Sequence, residues 1–185
     1  MNLVLNEDQK MLLDMVKKLV RNQILPLVRK CDETGEFPLE NMKKLGELGI
    51  SGMRVPTQYG GSGRNLFDAV LVLEEIAKVD ASTAINLHVQ LNATPIYIAK
   101  YGSEGIKEKF LTRLASGEIL FSMAQTEPDA GSNLNDIRTT ATSEGNFYIV
   151  RGTKSMISLA LIADVHLVYT RFIDDNSLGC LLVEK

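Results

Sequence analysis

The sequence has few of the features that mark several large classes of protein. Its two cysteines, Cys31 and Cys180, lie far apart without metal-ligand spacing, which favours free thiols in a reducing compartment over a disulfide framework or a metal centre. The net charge is −3 with acidic and basic residues interspersed, so no basic stripe indicates a nucleic-acid partner. No apolar run reaches the ~20 residues of a membrane-spanning helix, so we expect no membrane insertion.

The amino terminus, MNLVLNEDQK, lacks the basic start and long apolar core of a secretory signal. We therefore expect a cytoplasmic protein, with the mitochondrial matrix as the alternative for a processed eukaryotic protein. What the sequence does contain is ordinary, since 45% of its 185 residues are hydrophobic and 23% are charged. That composition is typical of a globular protein with one sizeable core or two small ones.

Residues 1–118 predict an N-terminal helical domain, because apolar residues recur at helical spacing and the connections are short enough for an antiparallel bundle. A capping pair, Asn6 with Gln9, is expected to begin the first helix, which Pro26 should kink or divide. Segment 66–79 is apolar on most sides, so we expect neighbouring helices to enclose it. The other helices are expected to stop at Gly49, to run from Asp80 or Ser82 to Gly102, and to run from Ser103 to Gly117.

Residues 119–185 change to the short, β-branched segments of strands. ILFSMA (119–124) is expected to be a buried strand, and Glu144-Gly145 predicts the turn of a hairpin. DVHLVYTRF and LGCLLVE predict further strands. We therefore expect an α+β fold, in which a helical bundle is followed by part of an antiparallel β-barrel or sandwich domain.

The loop TEPDAGSN at 126–133 directly follows the first strand, at the rim of the β domain. Gly131 permits backbone conformations that other residues avoid, and backbone amides near the Ser132 hydroxyl could form a nest for a phosphate. Thr126 stands at the strand end, where its hydroxyl and amide could meet the edge of a flat ring. From spacing alone, a rim turn without a ligand remains open as the alternative.

Six ordered segments resemble the acyl-CoA dehydrogenase family, and together they extend over essentially the whole chain. The resemblance implies that the TEP and GTKSMIS segments embrace FAD. It places Thr126 and Ser158 near the reactive ring and Gly131 near the pyrophosphate. The segments are NEDQKML, DETGEFP, PTQYGGSG, YGSEGIKEKFLTRLASGE, TEPDAGSN and GTKSMIS, the last leading into ADVHLVYTR. The implied cofactor-binding residues are Met123, Gln125, Thr126, Gly131, Ser132, Met156, Ile157 and Ser158, and Ser132 is also the implied substrate-binding residue.

Three positions depart from the family pattern. Met156 stands where the family often has an aromatic residue over one face of the flavin, and methionine can also pack against an aromatic ring. Ser158 replaces a threonine but keeps the hydroxyl. Asn133 replaces an aspartate and loses a charge.

Other polar residues of the sequence are expected to be structural. Glu127 lies beside Pro128 inside the motif, where a structural or capping role is favoured over catalysis. His88 and His166 lie on apolar segments, and we expect neither to have a serine, cysteine or acidic neighbour arranged as a triad. No metal site is expected.

The resemblance also implies an activity. Family members oxidise an acyl-CoA thioester to the 2-enoyl-CoA, with hydride transfer to flavin N5, and pass electrons to an electron-transferring flavoprotein, as in the β-oxidation of fatty acid metabolism. A homotetramer or dimer is expected. The family's carboxylate base belongs to a C-terminal helical bundle that this chain lacks, so no catalytic residue is expected here and the chain is interpreted as an N-terminal portion. A non-catalytic short subunit or assembly module, and an acyl-CoA oxidase, are the alternatives.

Overall fold

A computed structural model describes residues 4–185, which fall into two units, one ending at Glu118 and the other comprising Ile119–Lys185. The first unit is helical and the second is built on a β-sheet. The expected order of a helical region followed by a β region is therefore confirmed. Within the described residues, no helix is both long enough and apolar enough to cross a membrane.

The first unit contains seven α-helices among its described residues. Its core is aliphatic, with Val16, Ile24 and Leu45 among the fully buried side chains. The helices are α1 (Glu7–Leu19), α2 (Leu25–Thr34), α3 (Leu39–Glu47), α4 (Leu66–Ala77), α5 (Ala81–His88), α6 (Thr94–Tyr101) and α7 (Glu104–Ala115). A 3₁₀ turn covers Thr57–Tyr59, and π-helical turns cover Val20–Ile24 and Val89–Ala93.

The structure contains capping hydrogen bonds and a helix break at positions where the sequence predicts them. The Asn6 side chain accepts a hydrogen bond from the Gln9 amide at 2.8 Å, and the Gln9 side chain accepts one from the Asn6 amide at 3.2 Å, which confirms the capping box. Asp80 caps α5 by accepting from the Ser82 amide. Pro26 lies in the first turn of α2, directly after a π-helical turn, so the division expected there is confirmed.

Helix α4 differs from the expectation that neighbours enclose it. It packs against α1 and α5, which bury Val72 and Ile76 completely. Leu66, Phe67 and Val70 instead remain exposed. An evenly apolar sequence does not indicate which side of a helix a neighbour covers, and here the neighbours of this unit cover one side.

The second unit is a five-stranded sheet centred on its longest strand. The core side chains beneath it include Phe121, Ala141 and Leu167. The strands are β1 (Phe121–Ala124), β2 (Thr140–Glu144), β3 (Phe147–Arg151), β4 (Val165–Phe172) and β5 (Leu178–Glu184), and a 3₁₀ turn covers Leu134–Asp136. The hairpin predicted at Glu144-Gly145 is confirmed, because β2 and β3 pair antiparallel up to Glu144 opposite Phe147, and Gly145 has a φ of 64°.

The expected antiparallel sheet is wrong for two of the four pairings. β2–β3 and β4–β5 are antiparallel, but β1 pairs parallel with the first half of β4 and β2 pairs parallel with its end. Parallel neighbours need a long connection, and residues 125–164, which contain the β2–β3 hairpin, provide it between β1 and β4.

The parallel register also places a serine opposite one of the two histidines. Ser122 faces His166 across β1 and β4, and its Oγ lies 2.6 Å from His166 Nδ1. His166 therefore does have a serine neighbour. Ser122 is fully buried, so this pair is a hydrogen bond of the sheet interior and no substrate reaches the serine hydroxyl.

Candidate functional site

The loop after β1 folds back on itself immediately beyond Thr126. The Glu127 amide donates to the Ala130 carbonyl at 2.9 Å, and the Ala130 amide donates back to the Glu127 carbonyl at 3.3 Å. This pair of bonds closes a tight turn over Pro128 and Asp129. Residues 131 and 132 follow the turn and are exposed. Gly131 and Ser132 are thus available at the surface, next to a turn of defined shape.

The Glu127 side chain anchors this loop from inside. Its Oε2 accepts from the Arg138 amide at 2.7 Å, and its Oε1 accepts from the Thr139 amide at 2.9 Å and from the Thr139 hydroxyl. The Lys154 ammonium also donates to Oε1, at 2.8 Å. The structural role expected for Glu127 is therefore confirmed.

These donors determine the charge of the buried carboxyl. Burial raises the pKa of Glu127, but hydrogen bonds from Lys154, from Thr139 and from the two backbone amides outweigh burial and lower the pKa from 4.5 to about 2. The side chain is consequently ionised throughout the neutral range, and it is committed to four donors. A group held in this way is a poor general base, because a base must take up a proton.

The second candidate segment, residues 152–158, runs beside the first. The Ser155 amide donates to the Thr126 carbonyl at 3.0 Å. The Lys154 ammonium donates to the Gln125 carbonyl, also at 3.0 Å. The structure therefore brings together two motifs whose contacting residues lie 29 positions apart in the sequence.

Met156 has an unusual environment for an apolar side chain. Its φ is 54°, a left-handed conformation that is uncommon outside glycine, and its side chain is 87% exposed. Leu159, three residues later, has a φ of 66° and is buried. Strained backbone of this kind persists only where the surroundings hold it, and it is concentrated at binding and active sites.

Several hydroxyls of this region have no protein partner. The Ser155 Oγ is buried and makes no hydrogen bond, and within the described chain no hydrogen bond involves the hydroxyls of Thr126, Ser132 or Ser158. A buried hydroxyl without a hydrogen-bond partner is energetically costly. The Met156 thioether and the Ser132 hydroxyl of this region are exposed and therefore accessible to a ligand.

The other residues predicted from the sequence lie at the end of β1 and in the two segments. Met123 is half-buried in β1, and Gln125 follows the end of that strand. Ile157 is half-buried, and its carbonyl accepts from the Ala160 amide at 3.3 Å. Asn133 caps the following 3₁₀ turn by accepting from the Asn135 amide, and its own side-chain amide donates to the Asp136 carboxylate at 2.9 Å, a bond that an aspartate cannot make.

Sequence reasoning missed Lys154 and Ser155. Both belong to the GTKSMIS segment, directly before the three residues that the family resemblance implicates. The sequence offered one signal for Lys154, namely a lysine in one motif and an acidic residue, Glu127, in the other. No group of three or more His, Cys, Asp and Glu side chains within residues 4–185 is arranged to hold a metal ion.

Comparison with known proteins gives the same relationship as the motifs. The family model of the acyl-CoA dehydrogenase N-terminal domain matches residues 6–118, and that of the acyl-CoA dehydrogenase middle domain matches residues 122–185. The chain is 41% identical over 165 residues to the probable acyl-CoA dehydrogenase YngJ of Bacillus subtilis, covering 88% of this chain and 43% of that protein. It is 37% identical over 169 residues to mitochondrial isovaleryl-CoA dehydrogenase of Bos taurus, covering 90% and 40%. It spans about half the length or less of such curated relatives.

Solved structures agree. A chain in a structure of the electron transferring flavoprotein of Acidaminococcus fermentans matches with a TM-score of 0.95 and 30% identity, covering all of this chain and 50% of that one. Glutaryl-CoA dehydrogenase of Mycobacterium smegmatis, solved in complex with FADH2, matches with a TM-score of 0.91 and 32% identity, covering 97% and 46%. Since two domain models match in order and account for nearly every residue, the chain belongs to the acyl-CoA dehydrogenase family.

Proposed function

We propose that this chain supplies the N-terminal domain (1–118) and the flavin-binding middle domain (119–185) of an FAD-dependent acyl-CoA dehydrogenase. The observation that carries the proposal is the junction of the two motifs, where Ser155 donates to the Thr126 carbonyl and hydroxyls on both segments lack protein partners. The FADH2 complex of a relative with 32% identity supports the choice of cofactor.

Each residue of the junction has a distinct part in this proposal. The hydroxyls of Thr126 and Ser158 donate hydrogen bonds to the polar edge of the flavin ring, where negative charge develops on reduction. Gly131 and Ser132, exposed beyond the tight turn, hold the pyrophosphate, and Ser132 also contacts the acyl-CoA. Met156 packs against one face of the ring. The ring is also lined by Met123 and Gln125 from the strand end and by Ile157 from the facing segment.

When bound, FAD supplies the hydride acceptor for oxidation of an acyl-CoA to its 2-enoyl-CoA. The chain's own residues bind and orient the cofactor. No described carboxylate is proposed as the base, because the one inside the motif, Glu127, is already engaged with four donors. We further propose a homo-oligomer that passes electrons to an electron-transferring flavoprotein, a partner class suggested by the structure from Acidaminococcus fermentans.

The visible absorption spectrum of the purified full gene product tests the proposal, because reduction of the flavin by an acyl-CoA also needs the carboxylate base that the family resemblance places outside these residues. A yellow protein, or a colourless one that becomes yellow with added FAD, is expected, and the flavin bands should bleach when an acyl-CoA is added without oxygen. The most effective acyl-CoA then defines the substrate class. A colourless protein that takes up no FAD contradicts the proposal and favours a non-catalytic assembly module. Rapid reoxidation by oxygen identifies an oxidase.

A further inference from the structure

Lys154 makes contacts on both sides of Thr126. Its ammonium donates to the Gln125 carbonyl at 3.0 Å and to the Glu127 carboxylate at 2.8 Å. The residue next to it, Ser155, donates its amide to the carbonyl of Thr126 itself. Three consecutive residues, Gln125 to Glu127, are therefore each bonded to one of two consecutive residues of the second motif, Lys154 or Ser155.

The bonds that hold the first loop differ from the bonds that join the two motifs. The Glu127 carboxylate accepts from the Arg138 amide and from the Thr139 amide and hydroxyl, all within the same loop. Together with the Glu127–Ala130 turn, these three bonds lie within the first loop and do not involve the second motif. The bonds of Lys154 instead run between the motifs. Its distinct contribution is the spacing and alignment of the two segments.

Lys154 lies near the start of its segment, so its bonds also restrain the residues that follow it. Met156, with its left-handed backbone, lies two residues beyond it, and Ser158 lies four beyond. The lysine side chain is largely buried, so its hydrogen bonds are sheltered from competing water. Anchoring the start of the segment thus restrains the backbone that presents Met156 and Ser158.

We propose that Lys154 is a positioning residue of the cofactor site, which aligns the segment of Ser155, Met156 and Ser158 with Thr126. The proposal rests on the function proposed above. Lys154 acts through its bonds to the Gln125 carbonyl and the Glu127 carboxylate, on either side of Thr126, and not by touching the reacting atoms. Loss of its ammonium should therefore weaken FAD binding while the loop held by Glu127 stays folded.

The test compares Lys154→Met and Lys154→Arg with a control from the same sheet, Ser122→Ala. The control removes one buried hydrogen bond, to His166, and Ser122 points to the opposite face of β1 from Met123. FAD affinity is measured by quenching of flavin fluorescence on flavin-free protein. Hydrogen exchange of residues 152–158 is measured in the same samples, and thermal melting monitors the fold.

We expect Lys154→Met to raise the Kd for FAD roughly tenfold or more, the size of effect found when a residue that orients the ligands of a metal site is lost. Exchange in residues 152–158 should become faster. Lys154→Arg, which keeps the charge and the donors, should recover part of the affinity, and Ser122→Ala should lower the melting temperature without raising the Kd. If Lys154→Met fails to fold, the Lys154→Arg and Lys154→Gln pair provides the same comparison.

Two outcomes overturn the inference alone: the methionine variant binds FAD as tightly as the wild type, or Ser122→Ala weakens FAD binding equally at the same loss of melting temperature. A wild-type protein that takes up no FAD is a different result. It contradicts the proposed function, and the inference falls with it.

Discussion

The Nζ atom of Lys154 lies 2.8 Å from Oε1 of Glu127, with 12% and 5% of the two side chains exposed. An ion pair this far from water is stable only when further hydrogen bonds satisfy both partners. Here Glu127 has backbone and hydroxyl donors, and Lys154 has the Gln125 carbonyl. Without Lys154 the carboxylate keeps three donors, whereas without Glu127 the buried ammonium keeps only the Gln125 carbonyl, so Glu127 is the more sensitive member of the pair.

The buried pair predicts a loss of stability in acid. The pKa of Glu127 lies at about 2 in the folded protein against an ordinary 4.5, so its stabilising effect is complete above pH 4.5 and is lost as the pH falls towards 2. The difference corresponds to about 3 kcal/mol in the free energy of unfolding. Urea unfolding of the wild type and Glu127→Gln at pH 7 and pH 3 measures it. The variant should be less stable at pH 7, and the two proteins should converge towards pH 3. Parallel pH profiles would contradict the assignment.

Close backbone contact predicts that Gly46 does not tolerate a side chain. A Cβ atom added at Gly46 would lie 2.6 Å from the Cα of Gly117. Gly46→Ala should therefore destabilise the helical unit by about 1–3 kcal/mol through overpacking. Gly105→Ala is the matched control, because an added Cβ in this part of α7 meets nothing within 4 Å. The control should stabilise the helix by up to about 1 kcal/mol. Thermal melting distinguishes the two, and equal melting temperatures would sink the prediction.

The apolar surface on α4 and α5 predicts self-association of the 185-residue chain. Val70 is 46% exposed and Ile85 is 52% exposed, and together with Leu73 and Ala81 they line one groove. Exposed apolar patches favour association. Light scattering should report a species larger than a monomer, and Val70→Lys with Ile85→Lys should reduce its size. Asn146→Lys, at the exposed β2–β3 turn, is the charge control and should not. A monodisperse wild-type monomer would be the contrary result.

The exposed Met156 predicts a graded effect on cofactor affinity. If this side chain packs on one face of the flavin, Met156→Ala should weaken FAD binding and Met156→Trp should strengthen it, because the indole offers a larger stacking surface. Fluorescence titration of flavin-free protein measures both. Met11, an exposed methionine in α1, provides a control in Met11→Ala. Equal affinities in all four proteins would show that residue 156 does not contact the ring.

The features that the sequence determined by itself depend on residues close together in the chain. The capping box of Asn6 and Gln9, the break at Pro26 and the turn at Gly145 each follow from the chemistry of a few neighbouring residues. The change from helical to strand patterns separated the two units for the same reason. The motifs could be recognised in the sequence because the residues of each are contiguous, and they supported the resemblance to the family.

Only the tertiary structure decided which distant segments meet. The parallel pairing of β1 with β4, and with it the Ser122–His166 bond, depends on the path of a forty-residue connection that local patterns do not encode. The sequence of helix α4 is apolar on most sides, which suggested an enclosed helix. It does not indicate which faces neighbouring helices cover. Lys154 looked like an ordinary polar residue until folding placed its ammonium between the Gln125 carbonyl and the Glu127 carboxylate. The role of Lys154 therefore depends on partners almost thirty residues away in the sequence, and burial strengthens its hydrogen bonds to them.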